Sequence, residues 1–376
     1  MSILFSSARI GALELPNRLV RSATAEHLAN ADGWPKPKLK ELYQTLVRGG
    51  VGLIITGHMY VHPSGRSHTE MLGIHEDGLI GPLAELAEAV HGEGGQVVAQ
   101  INHVGMKASL EAVAEPIAPT TMNMLFTKRS ARAIAPGEAD LLIEAFGEAA
   151  RRAREAGFDG VQIHAAHGYL ISQYLSPLTN QRTDEWGGSL KRRVRFLTEV
   201  CKEVRSQVGK GYPVLVKLGM MDRLEGGLAP EESVRVAGAL EEMGLDGLEI
   251  SGGIGSDSSF HIREDIRSVS EEAYFRPLAQ RVRSATNLPI LLVGGLRSKS
   301  VMEDVVATGD ADFISLCRPL ICEPELPNAF RQGLWNRSSC ISCNRCLPEK
   351  PGDEGIACKL NSEASRASST ATVLTL

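Results

Sequence analysis

Residues 151–164 read RRAREAGFDGVQIH, and residues 240–250 repeat the same arrangement as LEEMGLDGLEI. In both stretches a charged segment ends at a glycine, Gly157 or Gly244, and an apolar residue, Asp and Gly then lead into a Val, Ile and Leu-rich run. Because glycine tolerates the left-handed conformation in which helices commonly end, each stretch predicts a helix followed at once by a strand. The repetition indicates an architecture built from β/α units.

Short apolar runs recur along the chain, each followed by a longer segment with helical periodicity, as is typical of parallel α/β proteins. The eight runs cover residues 18–23, 51–57, 96–101, 160–164, 214–218, 247–251, 289–293 and 313–316. Eight strands alternating with helices favour a closed (β/α)8 TIM barrel over an open doubly wound sheet. We expect the barrel to span residues 1–335, a Cys-rich extension residues 336–360, and a mobile tail residues 361–376.

Length and charge narrow the classes of function. The 376 residues suffice for one barrel with insertions. The net charge of -5 and the lack of Lys or Arg runs argue against nucleic acid as a partner. The sequence has neither a basic leader nor a long apolar stretch, so we expect a cytoplasmic protein without a membrane partner that acts on a small molecule. The oligomeric state stays open.

Active sites of TIM barrels lie where the strands end, so the residues after each run are candidates for chemistry. Gly294 and Gly295 follow strand seven, Arg297 comes soon after, and Cys317 and Arg318 end strand eight. Glycine backbone N–H groups and guanidinium groups both bind anions, so this corner predicts a phosphate site. The alternatives are that the glycines form a tight turn, that Arg318 pairs with a surface carboxylate, and that Cys317 is a core residue.

The segment after strand four sets His164, His167 and Tyr169 within six residues at the mouth of the barrel. Two imidazoles can donate hydrogen bonds to one carbonyl oxygen, and a phenol can supply a proton to a neighbouring carbon. The three residues are therefore the predicted catalytic set. The alternative, a metal bound by the two histidines, has no acidic third ligand nearby.

This segment and six further motifs resemble the old yellow enzyme superfamily, the NADH:flavin oxidoreductases. The further motifs are PNRLVRSAT (16–24), GGVGLIITG (49–57), AQINHVG (99–105), VKLGMMDRLEGG (216–227), VGGLRS (293–298) and ISLCRPL (314–320). The resemblance covers nearly the whole chain and is nearest to the barrel portions of 2,4-dienoyl-CoA reductase and trimethylamine dehydrogenase.

The resemblance implies an FMN cofactor over the barrel mouth. It implies that Gln100 bonds the pyrimidine edge of the flavin, that Lys217 lies near flavin N1, and that Ala23 and Thr24 line the ring. Gly295 and Arg318 take the phosphate.

By the same resemblance, His164 and His167 hold the oxygen of an α,β-unsaturated carbonyl or acyl compound. Its β carbon then accepts hydride from the flavin, and Tyr169 protonates the α carbon. Two alternatives stay open: an amine dehydrogenase that runs the flavin in the oxidative direction, and an electron-transfer subunit that works with a partner protein.

The segment CISCNRCLPEKPGDEGIACK (340–359) concentrates four cysteines, Cys340, Cys343, Cys346 and Cys358. A four-thiolate set suits an iron–sulfur cluster or a tetrahedral zinc. The segment resembles, with a different spacing, the 4Fe-4S segment that follows the barrel in the two relatives named above. We expect a 4Fe-4S cluster, with zinc and free thiols as alternatives.

The sequence also bears on the source of electrons for the flavin. No strand followed by GxGxxG occurs in it. We therefore expect either NAD(P)H bound directly over the FMN or a redox partner protein that acts through the cluster.

Overall fold

The computed structural model describes residues 2–123, 130–254, 262–348 and 355–360. The strands of this part of the chain are β1 (Ala8–Ile10), β2 (Leu13–Leu15), β3 (Leu19–Arg21), β4 (Leu53–Ile55), β5 (Met59–Tyr60), β6 (Val97–Asn102), β7 (Ile117–Ala118), β8 (Met122–Asn123), β9 (Ser130–Ala133), β10 (Gly160–Ala165), β11 (Val214–Gly219), β12 (Gly247–Ser251), β13 (Ile290–Leu292) and β14 (Phe313–Leu316). Strands β3, β4, β6 and β10 to β14 pair in parallel and in that order, and β14 pairs back to β3 to close a barrel. The predicted (β/α)8 barrel is confirmed.

The barrel strands coincide with the eight apolar runs of the sequence. All six residues of β10 and of β11 are buried, because inward side chains fill the barrel and outward ones pack under the helices. This burial on both faces explains why the runs are nearly continuous in Val, Ile and Leu rather than alternating with polar residues.

Helices follow the strands and cover the barrel. Those of the described residues are α1 (Pro37–Arg48), α2 (Ile80–His91), α3 (Glu138–Glu155), α4 (Leu170–Leu175), α5 (Leu190–Arg193), α6 (Arg195–Val208), α7 (Pro230–Glu242), α8 (Arg276–Arg283), α9 (Lys299–Ala307), α10 (Arg318–Cys322) and α11 (Leu326–Gln332). Gly157 and Gly244 have φ angles of 82° and 72° just beyond α3 and α7, as predicted.

A hairpin of β1 and β2 packs against the amino-terminal end of the barrel. Its buried residues Ile10, Leu13 and Leu15 join one apolar cluster with inward residues of the barrel strands, among them Val98 and Phe313. The hairpin was not predicted, because strands of three residues are too short for a periodicity signal. The amino-terminal end of the barrel is thus apolar, whereas the polar residues lie at the carboxyl ends of the strands.

The Cys-rich extension lies beside the loop that follows β13. The Ser338 backbone N–H donates to the Arg297 carbonyl at 2.9 Å, and the Lys299 N–H donates to the Asn336 carbonyl at 2.9 Å. The predicted tail, residues 361–376, lies outside the described residues. None of the described helices is both long enough and apolar enough to cross a membrane.

Packing between the barrel and its helices predicts the effect of one core substitution. Phe196 of α6 is fully buried and stacks on Tyr174 of α4 with ring centroids 4.2 Å apart. We expect Phe196→Ala to lower the free energy of unfolding by about 3–5 kcal/mol, since it removes buried apolar surface and leaves a cavity. Urea unfolding followed by circular dichroism measures this.

Leu141→Ala is the matched control for that substitution. Leu141 is 64% exposed on α3, so its truncation should change the free energy of unfolding by less than about 0.5 kcal/mol. Equal effects of the two substitutions would contradict the described packing of α6.

Candidate active site

The carboxyl ends of the barrel strands open into a cleft of about 620 Å³. This volume lies within the usual range of small-molecule sites. Every residue predicted to be catalytic or to contact a cofactor lines the cleft: Ala23, Thr24, Gln100, His164, His167, Tyr169, Lys217, Gly294, Gly295, Arg297, Cys317 and Arg318. The barrel thus brings together residues that are dispersed over almost 300 positions of the sequence.

His164, His167 and Tyr169 form one compact cluster. The ring centroid of His164 lies 5.1 Å from that of His167 and 4.9 Å from that of Tyr169, both in edge-on arrangements. His167 has a φ of 60°, a left-handed conformation that is uncommon outside glycine. Strained backbone of this kind is frequent at functional sites. The turn between β10 and α4 thus directs three polar side chains into a single region.

The protonation state of His164 is set by its surroundings. Burial, and then electrostatic interactions with His58, Lys217 and Lys107, hold the pKa of His164 well below its usual range. The ring is therefore neutral at pH 7. Its Nδ1 accepts the backbone N–H of Ala166 at 3.3 Å, which places the ring proton on Nε2. His164 is thus a neutral hydrogen-bond donor in the wall of the cleft.

Tyr169 is suited to give up a proton without being ionised beforehand. Burial raises the pKa of Tyr169 to about 12, so the phenol keeps its proton throughout the neutral range. Lys107 Nζ lies 5.6 Å from the centroid of the Tyr169 ring and donates to the His167 carbonyl at 2.7 Å. Burial also lowers the pKa of Lys107 to about 8. The phenol, a lysine and the two imidazoles thus share one corner of the cleft.

The corner between β13 and β14 has the features of an anion site. Gly294 and Gly295 have φ angles of 133° and 71°, and a Cβ on Gly295 would lie 2.3 Å from Ile266 Cδ1. Both positions therefore require glycine. Arg297 Nε and Ser315 Oγ are buried and have no hydrogen-bond partner among the described residues. An anion at this corner would satisfy such donors.

Both predicted phosphate-binding arginines also donate to the segment that follows β12 and to the Cys-rich extension. Arg297 donates to the carbonyls of Ile266 and Cys340, and Arg318 donates to the Arg263 carbonyl at 2.7 Å and to Asn344 Oδ1 at 2.6 Å. The extension therefore forms one wall of the cleft, to which it adds Ser342, Asn344, Cys346, Leu347 and Ile356. This docking of the extension was not predicted, because no sequence signal indicates where it packs.

Three histidines of the cleft were also missed, namely His27, His58 and His68. His58 stacks on Tyr169 with ring centroids 5.2 Å apart, and His27 stacks on His68 at 3.8 Å. His58 follows strand two at the position where barrel enzymes carry functional residues, so the sequence did contain a signal for it. The other two lie in loops whose shape the sequence does not reveal.

The cysteines of the extension influence one another electrostatically. Burial, and then the neighbouring thiols of Cys317, Cys340, Cys358 and Cys343, raise the pKa of Cys346 to about 12. Within the described ranges, no three His, Cys, Asp or Glu side chains form a metal-holding group.

Cys358 also has a neighbour that the sequence did not predict. Its Sγ lies 3.5 Å from the Sγ of Cys322, a residue outside the predicted four.

Comparison with known proteins gives matches over the barrel. Residues 3–336 match the model of the NADH:flavin oxidoreductase / NADH oxidase family. An NADH oxidase from Thermoanaerobacter brockii is 37% identical over 345 residues, which are 91% of this chain and 52% of that protein. A 2-naphthoyl-CoA reductase in complex with 2-naphthoyl-CoA superposes with a TM-score of 0.86 at 29% identity, over 93% of this chain and 55% of that one.

A third match has a length similar to that of this chain. Morphinone reductase in complex with tetrahydroNAD superposes with a TM-score of 0.76 at 27% identity, over 89% of this chain and 92% of that one. The chain thus spans about half the length of the NADH oxidase and of the naphthoyl-CoA reductase, and nearly the full length of morphinone reductase.

The burial of the cleft predicts how one of its histidines titrates. Burial, and then the charges of His27 and Lys217, lower the pKa of His58 to about 4. We expect its ring to stay neutral between about pH 5.5 and pH 8, whereas an unperturbed histidine titrates near 6.5. Ring carbon and nitrogen chemical shifts, assigned with a His58→Asn variant, measure this. A resonance of His58 that moves with a midpoint near 6.5 would contradict the described burial.

Proposed function

The chain belongs to the NADH:flavin oxidoreductase / NADH oxidase family, and on this premise we propose that it is an FMN-dependent reductase of activated C=C bonds. Its substrates are α,β-unsaturated carbonyl or acyl compounds. Because the chain spans only about half of two of the relatives described above, the proposal concerns the reaction at this barrel rather than the activity of any longer protein.

One observation carries the proposal. A neutral His164 with its proton on Nε2 and a protonated Tyr169 have rings 4.9 Å apart in the wall of a 620 Å³ cleft. Reduction of an activated alkene needs a hydrogen-bond donor for the carbonyl oxygen and a proton donor for the α carbon, and this pair supplies one of each.

His167 is the second donor for the carbonyl oxygen. Its Nε2 lies 2.6 Å from Ser251 Oγ, and when the serine hydroxyl donates to Nε2 the ring proton is on Nδ1, which is then the nitrogen that donates to the substrate. Two donors that converge on one oxygen draw electron density from the β carbon as negative charge develops on that oxygen. After the β carbon has been reduced, the Tyr169 hydroxyl donates its proton to the α carbon.

The residues of the cleft fit FMN. The Gly294 and Gly295 turn and the unpartnered Arg297 Nε and Ser315 Oγ suit a phosphate, and Lys217 places a positive charge where the resemblance puts flavin N1. When bound, FMN supplies the hydride that the substrate's β carbon receives, and NAD(P)H or a redox partner protein restores it. Gln100, Thr24 and Ala23 line the same cleft.

We infer that Cys340, Cys343, Cys346 and Cys358 hold a 4Fe-4S cluster. Four thiols in one short segment are the donor set that such a cluster requires, and what supports the proposal is this set of ligands and not their arrangement, since the described side chains form no metal-holding group. Cys346 also lines the cleft, and a cluster held there would supply one-electron transfer to a bound flavin.

Replacing the proposed proton donor tests the reaction. Tyr169→Phe should slow reduction of an activated alkene such as a cyclic enone by about 10²–10⁴-fold, since protonation of the α carbon loses its general acid. Reduction of the flavin by NAD(P)H in the absence of enone should stay unchanged, since that half-reaction needs no phenol. Stopped-flow absorbance measures the two half-reactions separately.

Tyr174→Phe is the matched control, because Tyr174 is buried on α4 and its hydroxyl has no partner in the described part of the chain. This control should reduce the enone at the wild-type rate. Enone reduction at the wild-type rate in Tyr169→Phe would refute the assignment. Rapid bleaching of the flavin by methylated amines without NAD(P)H would favour an amine dehydrogenase instead.

Metal content tests the cysteine assignment. Anaerobically purified protein should contain about four irons per chain, and Cys346→Ser should lose most of them. Cys201→Ser is the control, since Cys201 is buried in α6, away from the extension. Plasma mass spectrometry of iron and zinc distinguishes a cluster, a zinc site and free thiols. One zinc per chain would replace the cluster by a zinc site, and absence of both metals would leave free thiols.

A further inference from the structure

Five polar side chains form a continuous buried network inside the barrel, directly beneath the cleft. They belong to four barrel strands and to the end of a fifth, and all are at most 4% exposed: Ser22, Gln100, Gln162, Lys217 and Glu249. Gln162 and Glu249 do not line the cleft, whereas Ser22, Gln100 and Lys217 do. The network therefore has an upper layer that a ligand can touch and a lower layer that it cannot.

Glu249 is the anchor of the lower layer. Its carboxylate lies 3.2 Å from Lys217 Nζ and accepts hydrogen bonds from Ser22 Oγ at 2.6 Å and from Gln162 Nε2 at 3.0 Å. Burial by itself would raise the pKa of Glu249, but the charge of Lys217 and the three hydrogen bonds outweigh it and hold the pKa below the ordinary value. The carboxylate is thus ionised and accepts hydrogen bonds only.

Because the Glu249 carboxylate can only accept, it fixes the direction of the hydrogen bonds made by Gln162 and Gln100. Since Gln162 turns its Nε2 toward the Glu249 carboxylate, its Oε1 faces Gln100 and accepts the Gln100 Nε2 at 2.6 Å. The Gln100 amide nitrogen therefore points to Gln162, and its Oε1, the other end of the amide, is not used in this bond. A glutamine amide alone has no such preference, because its two ends are nearly equal in shape.

We propose that Glu249 is a positioning residue for the flavin, a role that rests on the proposed function. Through Gln162 it orients the amide of Gln100, so that Gln100 presents its carbonyl oxygen to the pyrimidine edge of the flavin. Directly and through Ser22, whose Oγ accepts a hydrogen bond from Lys217 Nζ at 3.0 Å, it holds the ammonium group of Lys217 and balances its charge.

The two effects are separable in substitutions. Glu249→Gln removes the negative charge and the directional anchor, whereas Gln162→Met keeps the carboxylate and removes the hydrogen bonds that link Gln100 to it through Gln162. Asp222→Asn is the matched control. Asp222 is a buried carboxylate that also accepts from a serine, Ser176, and from a backbone N–H, but it does not line the cleft or touch the network.

The experiment measures the dissociation constant of FMN and the midpoint potential of the bound flavin in all four proteins. Glu249→Gln should bind reduced FMN about tenfold more tightly relative to oxidised FMN, which raises the potential by about 30 mV, since Lys217 then faces the anionic reduced flavin without a counter-charge. Gln162→Met should bind oxidised FMN about tenfold more weakly at an unchanged potential. Asp222→Asn should match the wild type in both.

The outcomes distinguish this inference from the function on which it rests. Wild-type protein that binds no FMN would overturn the proposed function and the inference with it. Wild-type protein that binds FMN, with a Glu249→Gln variant of the same potential and affinity, would overturn the inference alone. If Glu249→Gln does not fold, the FMN affinity of Gln162→Met tests the inference. A wild-type affinity in that variant would overturn the positioning role.

Discussion

Pairing of the first barrel strand with the last is the interaction on which the site depends. Leu19, Val20 and Arg21 of β3 lie in register with Ile314, Ser315 and Leu316 of β14. This contact brings the residues after the first strand next to those after the last, so that Thr24 Oγ1 lies 3.1 Å from Cys317 Sγ. Without closure the two ends of the chain would form separate edges, and the cleft would have no continuous wall.

The interior of the closed barrel is apolar at its amino-terminal end and polar at its carboxyl end. The hairpin of β1 and β2 seals the amino-terminal end with aliphatic side chains, while the carboxyl end holds the network built around Glu249. A buried ion pair such as Lys217–Glu249 contributes little net stability, because desolvation of two charges offsets their attraction. The pair is therefore better explained by the side chains that it orients than by a gain in stability.

The sequence predicted the barrel, because eight apolar runs separated by helices leave few other topologies. It also predicted twelve of the residues that line the cleft, since strand ends in a barrel meet at one face. Glu249 was missed, although a charged residue inside the buried run GLEIS is itself a signal of an interior polar partner. The docking of the extension against Arg297 and Arg318 could not be predicted, because it depends largely on the backbone carbonyls of Cys340 and Ser342, which carry no sequence identity.

Binding of FMN in the cleft is measured by the absorbance spectrum of the purified protein. The spectrum is recorded under anaerobic conditions, before and after addition of NADH or NADPH. We expect flavin bands that bleach on reduction and about one FMN released per chain on denaturation. A colourless protein that takes up no FMN on reconstitution would contradict it.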